Sequence, residues 1–593
     1  MSVLFSAEAE GDLQESAGST SSLVVRLWPA WVLLIFQSIV FALSITSGIN
    51  NAVRFGYMML GPAVGSALFI VWLLLASQLA WPQRFTLTAV IIAVPICISP
   101  LVHDSLKLGL FLYGAPLSML AVVAGLWVTE RRADHRQGKT IVCGLLVIWG
   151  LFPLGRIDGF RGNYLPELAW RWSPTPEQPL IAEETAPSVS AVSGWSASDA
   201  EWPGFRGMNR DSVAVNSRGT IDWSTSSPIE RWRVPVGPGW SSFAFAAGRL
   251  FTQEQRGKNE LVTCYDAETG ALIWAHGTDA RFSEVVSGAG PRATPTLSGE
   301  RLFSLGATGV FQCLNSANGE LLWQRDLREE FAAPVPMWGF SSSPLVVEGR
   351  VVVVYAGADD ENGLMGFDTT TGEVVWRVAS AGRGINYSSP QSVELAGQRL
   401  VVFGDAEGLF ALKPTTGDVV WRYRPTDWSG PAVCQPQLLD DNSLIVPLGD
   451  GIGLARLQID CDTDGSWQIQ EKWSTNRLKP SFNDFLLHRG NVYGFDQNIF
   501  VSLDAKTGRR NWKRGRYGFG QAILLPMVDQ MIVTTEQGDL TVVAADPERH
   551  VEHGRIPALG GKTWNHPIVV DDRLYVRNGE FAVCYELDSS SAL

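Results

Sequence analysis

Eight short triplets recur along the C-terminal part of the chain, SSF, ATP, SSP, SSP, CQP, NDF, GQA and NHP, and the middle residue of each is polar: Ser242, Thr294, Ser343, Ser389, Gln435, Asp484, Gln521 and His566. Just upstream of these triplets stand larger groups, Trp240, Arg292, Trp338, Tyr387, Asn483, Arg516, Trp564 and Asn565. If the triplets converge, they bring one carboxylate, one imidazole, two guanidinium groups, several amides and aromatic faces to one place, which is the material of a polar-ligand site. Asp484, Arg292, Arg516 and His566 suit ligand contacts, with Trp240, Trp338, Tyr387, Gln435, Asn483, Gln521 and Asn565 around them. The Ser and Thr members equally suit a structural role, capping the turn backbone at a strand start. No full catalytic set is visible. Asp484 with Asn483 offers few oxygens where a Ca²⁺ ion takes about six to eight. His550 and His553 fall in a degenerate outer hairpin, away from His566, so no metal site is expected.

The elements that must position these residues come from a second repeat. YDAETGALIW, LNSANGELLW, FDTTTGEVVW, LKPTTGDVVW and LDAKTGRRNW each place a glycine in a tight turn (Gly270, Gly319, Gly372, Gly417, Gly508) and a tryptophan four residues later (Trp274, Trp323, Trp376, Trp421, Trp512). The glycines suit turns that need positive φ. The tryptophans are structural, large flat groups for docking one repeat on the next. A period of roughly 45–50 residues, with about four short strands per unit, predicts a β-propeller. Eight units fit residues 228–588, and because the last has three strands, the segment 230–236 is expected to complete it and close the ring. In a closed propeller the innermost strands begin at the channel mouth, so the eight polar residues form a circle there.

The first part of the chain is different in kind. Segments 28–47, 56–79, 86–102, 108–128 and 140–155 are apolar runs near the ~20 residues a spanning helix needs, the third and fifth being short. They predict a membrane domain of five transmembrane helices over 28–155, after a tail at 1–27. Arg131, Arg132, Arg136 and Lys139 concentrate positive charge in one loop, which puts that loop and the N-terminus in the cytoplasm and the propeller outside. Residues 156–227 read as an extracytoplasmic linker rich in Pro, Ser and Ala, and 589–593 as a tail. The net charge of −13 speaks against nucleic acid as a partner. Cys264, Cys313 and Cys584 share one repeat position that Gly366, Ala411 and Ser502 fill elsewhere, so they read as packed core thiols; Cys434 and Cys461 fall in one blade, where a pairing stays open.

The D-x-x-T-G-x-x-x-W turn and the blade count resemble the PQQ-like repeat superfamily, the propellers of quinoprotein alcohol dehydrogenases and of the outer-membrane assembly lipoprotein BamB. The stretches WPGFRG, GPGWSSFA, GFSSSP, LKPSFNDF, GRYGFGQ and KTWNHP are similar to a bacterial family of membrane-anchored PQQ-like repeat proteins. Five spans followed by an eight-bladed propeller also resemble membrane-bound quinoprotein glucose dehydrogenases. The first resemblance implies a binding or scaffolding module of the cell envelope, without a cofactor, whose partners are the membrane, envelope proteins or an extended peptide. The second implies a PQQ- and Ca²⁺-dependent dehydrogenase that oxidises an alcohol or sugar and passes electrons to membrane quinone, with Asp484 as the catalytic carboxylate. The blades here are minimal, Asp484 alone brings a carboxylate to the ring, and no adjacent cysteine pair occurs. The expectation is therefore the binding module.

Overall fold

The computed structural model describes residues 26–44, 51–130, 137–162, 164–182, 200–216, 219–357, 361–382, 384–430, 433–439 and 441–587. The N-terminal tail, the basic residues 131–136, linker residues 183–199 and the C-terminal tail lie outside the described residues. Among the described residues, 26–44 and 55–156 form a helical unit, and 157–587 together with 51–54 form a second, β unit.

In the helical unit three helices are long and apolar enough to cross a membrane, Val53–Leu75, Trp81–Leu101 and Asp104–Val128, and two shorter apolar helices, Trp28–Ser44 and Lys139–Leu154, flank them. The expectation of five spans is thus met at full length by three. The third segment is longer than its apolar run suggests, because Trp81 and Pro82 start the helix ahead of it, and proline at the first turn of a helix forfeits no hydrogen bond. Pro62 and Pro95 are accommodated inside helices. Ser118 lies between the helices, where it accepts a hydrogen bond from the Trp149 indole (2.9 Å). Leu60, Leu75 and Ile96 are more than 60% exposed, the surface expected of helices bathed by lipid.

The β unit is an eight-bladed propeller, eight antiparallel sheets of four strands each. Seven blades are built from consecutive strands, as in the sixth, with Leu486–His488 innermost, then Asn491–Asp496, Ile499–Asp504 and Arg510–Arg516. The eighth takes its outermost strand, Ile229–Pro235, from ahead of the first blade, paired antiparallel with Phe581–Glu586. That pairing joins the two ends of the propeller chain in one sheet, so unfolding has no free terminal blade from which to start.

The turn-and-tryptophan repeat is the glue between blades. Each indole N–H donates to a carbonyl in the next blade: Trp274 to Ser316 (3.2 Å), Trp323 to Thr369 (3.2 Å), Trp376 to Pro414 (2.8 Å) and Trp512 to Asp546 (2.9 Å). Trp232 and Trp473 do the same, to Ala267 (2.9 Å) and Ala505 (3.1 Å). The turn glycines have positive φ, 67° to 75°, and a second reason besides: a Cβ on Gly319 would stand 2.6 Å from the Trp274 ring and one on Gly372 2.6 Å from Trp323. Trp421 is the exception, buried without a partner for its indole N–H among the described residues. The blade it faces has the rewritten turn CDTDGSWQ, which replaces the carbonyl-presenting glycine turn with a longer hairpin.

Cys264, Cys313 and Cys584 are buried in the blades and unpaired. Cys434 and Cys461 are also free thiols; Cys434 is buried and donates to the Asn483 carbonyl (3.1 Å), whereas Cys461 lies on the third strand of its blade.

Candidate functional site

The eight polar residues do form a circle, and the circle is a hydrogen-bonded belt. The backbone N–H of Ser242 donates to Thr294 Oγ1, that of Thr294 to Ser343 Oγ, and that of Ser343 to Ser389 Oγ, each at 2.9 Å. Gln435 donates its side-chain amide to the Ser389 carbonyl (3.0 Å), its backbone N–H donates to Asp484 Oδ1 (3.3 Å), and Asp484 N–H donates to Gln521 Oε1 (3.4 Å). Gln521 reaches the Trp564 carbonyl (3.2 Å), and Ser242 Oγ closes the circle on the His566 carbonyl (2.7 Å). Every blade junction is bridged by a bond of this belt. Each bond satisfies a backbone group that the start of an inner strand would otherwise bury unpaired.

Inside the belt the channel is filled by the chain itself. Residues 202–214, the end of the linker, touch all eight blades. Trp202 exchanges backbone hydrogen bonds with Phe245, Pro203 accepts from Leu297 N–H (2.7 Å), and Ser212 and Ala214 bracket Leu524 (2.9 Å each). The Arg210 guanidinium donates to the carbonyls of Ser343 (3.3 Å), Pro344 and Pro390 (2.9 Å), and the Arg210 carbonyl accepts from Gln437 (3.2 Å). Burial pushes the Arg210 guanidinium down to about 9. Arg206 donates to the Phe485 carbonyl (2.8 Å), and Phe205 meets His566 edge-on with ring centres 4.9 Å apart. Arg206, Arg210 and Ser212 are held at positive φ (60°, 55° and 58°), a conformation costing on the order of 1–3 kcal/mol per non-glycine residue and kept only where the surroundings impose it.

At the mouth, above this plug, lies a cavity of about 190 Å³ whose lining includes seven aromatic side chains, Tyr164, Phe205, Trp240, Trp338, Tyr387, Phe482 and Trp564. Trp338 and Tyr387 pack at 4.8 Å, and Trp240 and Trp564 at 5.0 Å. A hairpin of Gly155–Phe160 and Pro166–Trp170 leans over it. Phe160 N–H donates to the Val286 carbonyl (2.7 Å) and Gly162 N–H to Glu536 (2.6 Å). A Cβ on Gly162 would stand 2.3 Å from the Phe519 ring, so only glycine permits this approach. Lys562 links hairpin and rim: it donates to the Phe160 carbonyl (3.2 Å) while its ammonium faces Trp240 (5.2 Å) and Trp564 (4.7 Å).

Of the residues singled out in the sequence, Trp240, Arg292, Trp338, Tyr387, Asp484, Gln521 and His566 line this cavity together. Gln435, Asn483 and Asn565 are buried in the blade junctions instead: Asn483 bonds the Gly520 carbonyl (2.9 Å), and Asn565 those of Gly239 (3.1 Å) and Ser241 (2.8 Å). Arg516 ends the outermost strand of the sixth blade and is exposed, and it is not among the residues that line the cavity it was expected to join. Sequence reasoning missed Arg206, Phe205 and Tyr164. The stretch WPGFRG contains the first two, but nothing in its spacing marks it as channel-filling.

Asp484 is the centre of the site's electrostatics. Its carboxylate meets Arg206 Nη1 at 3.1 Å and His566 Nε2 at 3.0 Å, and all three side chains are buried. Burial alone would raise the Asp484 carboxyl; Arg206 and the His566 hydrogen bond outweigh it, so Asp484 sits below its ordinary value. Burial lowers His566, more than Asp484 raises it, so the imidazole is neutral near pH 7. Arg292 is pushed down to about 10 by burial and is engaged with the carbonyls of Trp338 (3.1 Å) and Gly288 (2.9 Å). The cavity therefore presents aromatic faces and a neutralised floor. A Ca²⁺-assisted quinone centre needs several convergent oxygens. Here both Asp484 oxygens are engaged, Asp450 accepts from Ser481, and no cluster of three His, Cys, Asp or Glu converges among the described residues. The donor set does not fit that metal.

Fold and site together define an eight-bladed β-propeller, plugged on its axis and carrying a cavity with aromatic walls at one mouth. Residues 258–514 match the family model of the outer membrane protein assembly factor BamB. Among solved structures the chain is similar to the quinohemoprotein alcohol dehydrogenase from Comamonas testosteroni (12% identity, TM-score 0.51, covering 66% of this chain and 81% of that one). It is also similar to BamB from Moraxella catarrhalis (16% identity, TM-score 0.44, 60% and 99%). No curated protein matches the chain. At 12% identity the likeness to the dehydrogenase shows the fold alone and leaves the chemistry to the site.

Proposed function

We propose that this chain is a membrane-tethered binding and scaffolding module of the cell envelope, with five spans, a cytoplasmic N-terminus and the propeller on the extracytoplasmic side. Its partner is an envelope protein or an extended peptide that inserts an apolar or aromatic group into the mouth cavity, and it catalyses no reaction of its own. The observation that carries this reading is the commitment of Asp484 to Arg206 and His566. A carboxylate whose oxygens are engaged by a buried guanidinium and an imidazole is a poor base for taking a proton from an alcohol, whereas the aromatic walls above it suit apolar and planar groups.

Those same walls are the one feature that favours a quinone-dependent dehydrogenase as a second reading, since a planar cofactor stacks on aromatic faces. The test is a thermal-shift and dye-reduction titration of the full-length protein with PQQ and Ca²⁺, across a panel of alcohols and sugars. The expected outcome is neither a saturable rise in melting temperature nor dye reduction, because a ligand that binds only the folded state must raise that temperature. A saturable shift with turnover that is lost in a folded Asp484→Asn variant would replace the binding module by the dehydrogenase.

A further inference from the structure

The stretch from the end of the fifth blade's outermost strand through the sixth blade departs from the rest of the molecule in charge. Residues 472–516 hold ten Lys and Arg against three Asp, a net charge of +7 in a chain whose total is −13. All three aspartates are occupied: Asp484 by Arg206, Asp496 by Lys479 (2.6 Å) and Lys513, and Asp504 by its own turn, where it accepts from Thr507. Arg477, Lys506, Arg509, Arg510, Arg514 and Arg516 are exposed and carry no ion pair among the described residues. Arg477 and Arg509, with Lys479, line an open groove of about 860 Å³ between the fifth and sixth blades; Asp427, the one carboxylate in its wall, already accepts from Ser474 (2.5 Å).

Charged residues on an outer strand ordinarily keep sheets from associating, and that need is the same for every blade. The outer strands Val374–Val378 and Val419–Tyr423 meet it with a single arginine each, Arg377 and Arg422. Arg510–Arg516 carries four basic residues in seven. Its far edge has no neighbouring strand, because the blade order ends there, so its outward backbone N–H and C=O groups are available to another chain.

We propose that this edge is a docking surface for an acidic peptide segment, added in extended form beside Arg510–Arg516 with its carboxylates on the arginines and on the groove at Arg477 and Arg509. An open strand edge selects a polypeptide over a lipid surface, since only a polypeptide can answer a row of main-chain donors and acceptors. The surface is separate from the mouth. The inference deepens the binding-module reading and rests on it.

The test uses the full-length chain in zwitterionic nanodiscs and a fluorescein-labelled peptide of alternating Glu and Thr, followed by anisotropy. Binding is expected, weakened at least tenfold in an Arg510→Gln/Arg514→Gln/Arg516→Gln variant, weakened by salt, and lost when the peptide backbone is N-methylated. The substituted arginines are exposed, so the variant should keep its melting temperature; an Arg477→Gln/Arg509→Gln variant supplies an independent weakening. Absence of binding, equal binding by the triple variant, or retention by the N-methylated peptide overturns the proposal. Capture of phosphatidylglycerol vesicles without peptide binding overturns it in favour of a lipid surface. PQQ-dependent turnover with peptide binding intact would instead sink the non-catalytic reading and leave this surface standing.

Discussion

At the scale of single residues, Asp484 changes meaning once its partners are seen. As the only carboxylate of the polar circle it looks like a ligand or a base; in the structure it is the anion that holds the channel plug in place, through Arg206 at 3.1 Å, and it also accepts from Gln435 N–H in the belt. Removing one partner of a buried ion pair costs about 3–5 kcal/mol, because the other charge is left unpaired, while replacing both by uncharged groups costs much less. Arg206→Met and Asp484→Asn are therefore each expected to destabilise the propeller by about 3–5 kcal/mol. The double variant Arg206→Met/Asp484→Asn should lose clearly less than the sum of its singles in urea unfolding. Additive losses would mean that the pair contributes nothing as a pair. Arg206 was not readable in this role because the contact joins positions far apart, its bond to Phe485 spanning 279 residues, and because a plug occurs once and leaves no repeat to compare.

At the scale of elements, the blades were legible because the sequence states their rule several times over. The turn glycine and the tryptophan four residues on predict hairpin, docking and blade count together, and the eight sheets follow that rule. What repetition could not convey is that the two residues are partners across a junction, the glycine of one blade lying under the tryptophan of the one before. A Gly319→Ala substitution thus meets two penalties, a left-handed backbone (φ 75°) and a Cβ 2.6 Å from Trp274. A loss of about 2–4 kcal/mol is expected, above the ~1 kcal/mol of a left-handed site with open space. Gly397→Ala, at φ 72° with nothing within 4 Å, is the matched control. Equal losses at the two sites in thermal unfolding would leave the packing half of the argument without support. In the helical unit the sequence was less exact, since hydropathy marks where apolar residues lie and not where a helix begins, as Trp81 and Pro82 illustrate.

At the scale of the whole molecule, belt, plug and closing strand tie the eight blades into one body whose stability is set by groups buried at their junctions, and several of these titrate. Burial lowers His276, His550 and His566 below the ordinary histidine value. The folded protein keeps them neutral where the unfolded chain takes up protons, so their contribution is intact above about pH 6.5 and is lost as pH falls from there through their lowered folded values. The slope is at most about 1.4 kcal/mol per pH unit for each histidine. Glu260 works in the opposite sense. Burial raises its carboxyl to about 7, so the folded state holds a proton that the unfolded chain releases above its ordinary value, and stability gains as pH falls through that interval. Asp211 and Glu580, whose carboxyls burial also raises, act in the same sense as Glu260, so single-residue variants resolve the two opposing sets of groups between pH 7 and pH 5. A Glu260→Gln variant, which removes one of the opposing carboxyls while keeping an amide to face Ala307 N–H, should lose stability more steeply on acidification than the wild type. His566→Gln should flatten the profile, with the histidines at 276 and 550 left to supply the remainder. Melting temperatures of the three proteins across that interval read the prediction directly, and a Glu260→Gln profile no steeper than the wild type's, or a His566→Gln profile no flatter, would remove that group from the molecule's acid response.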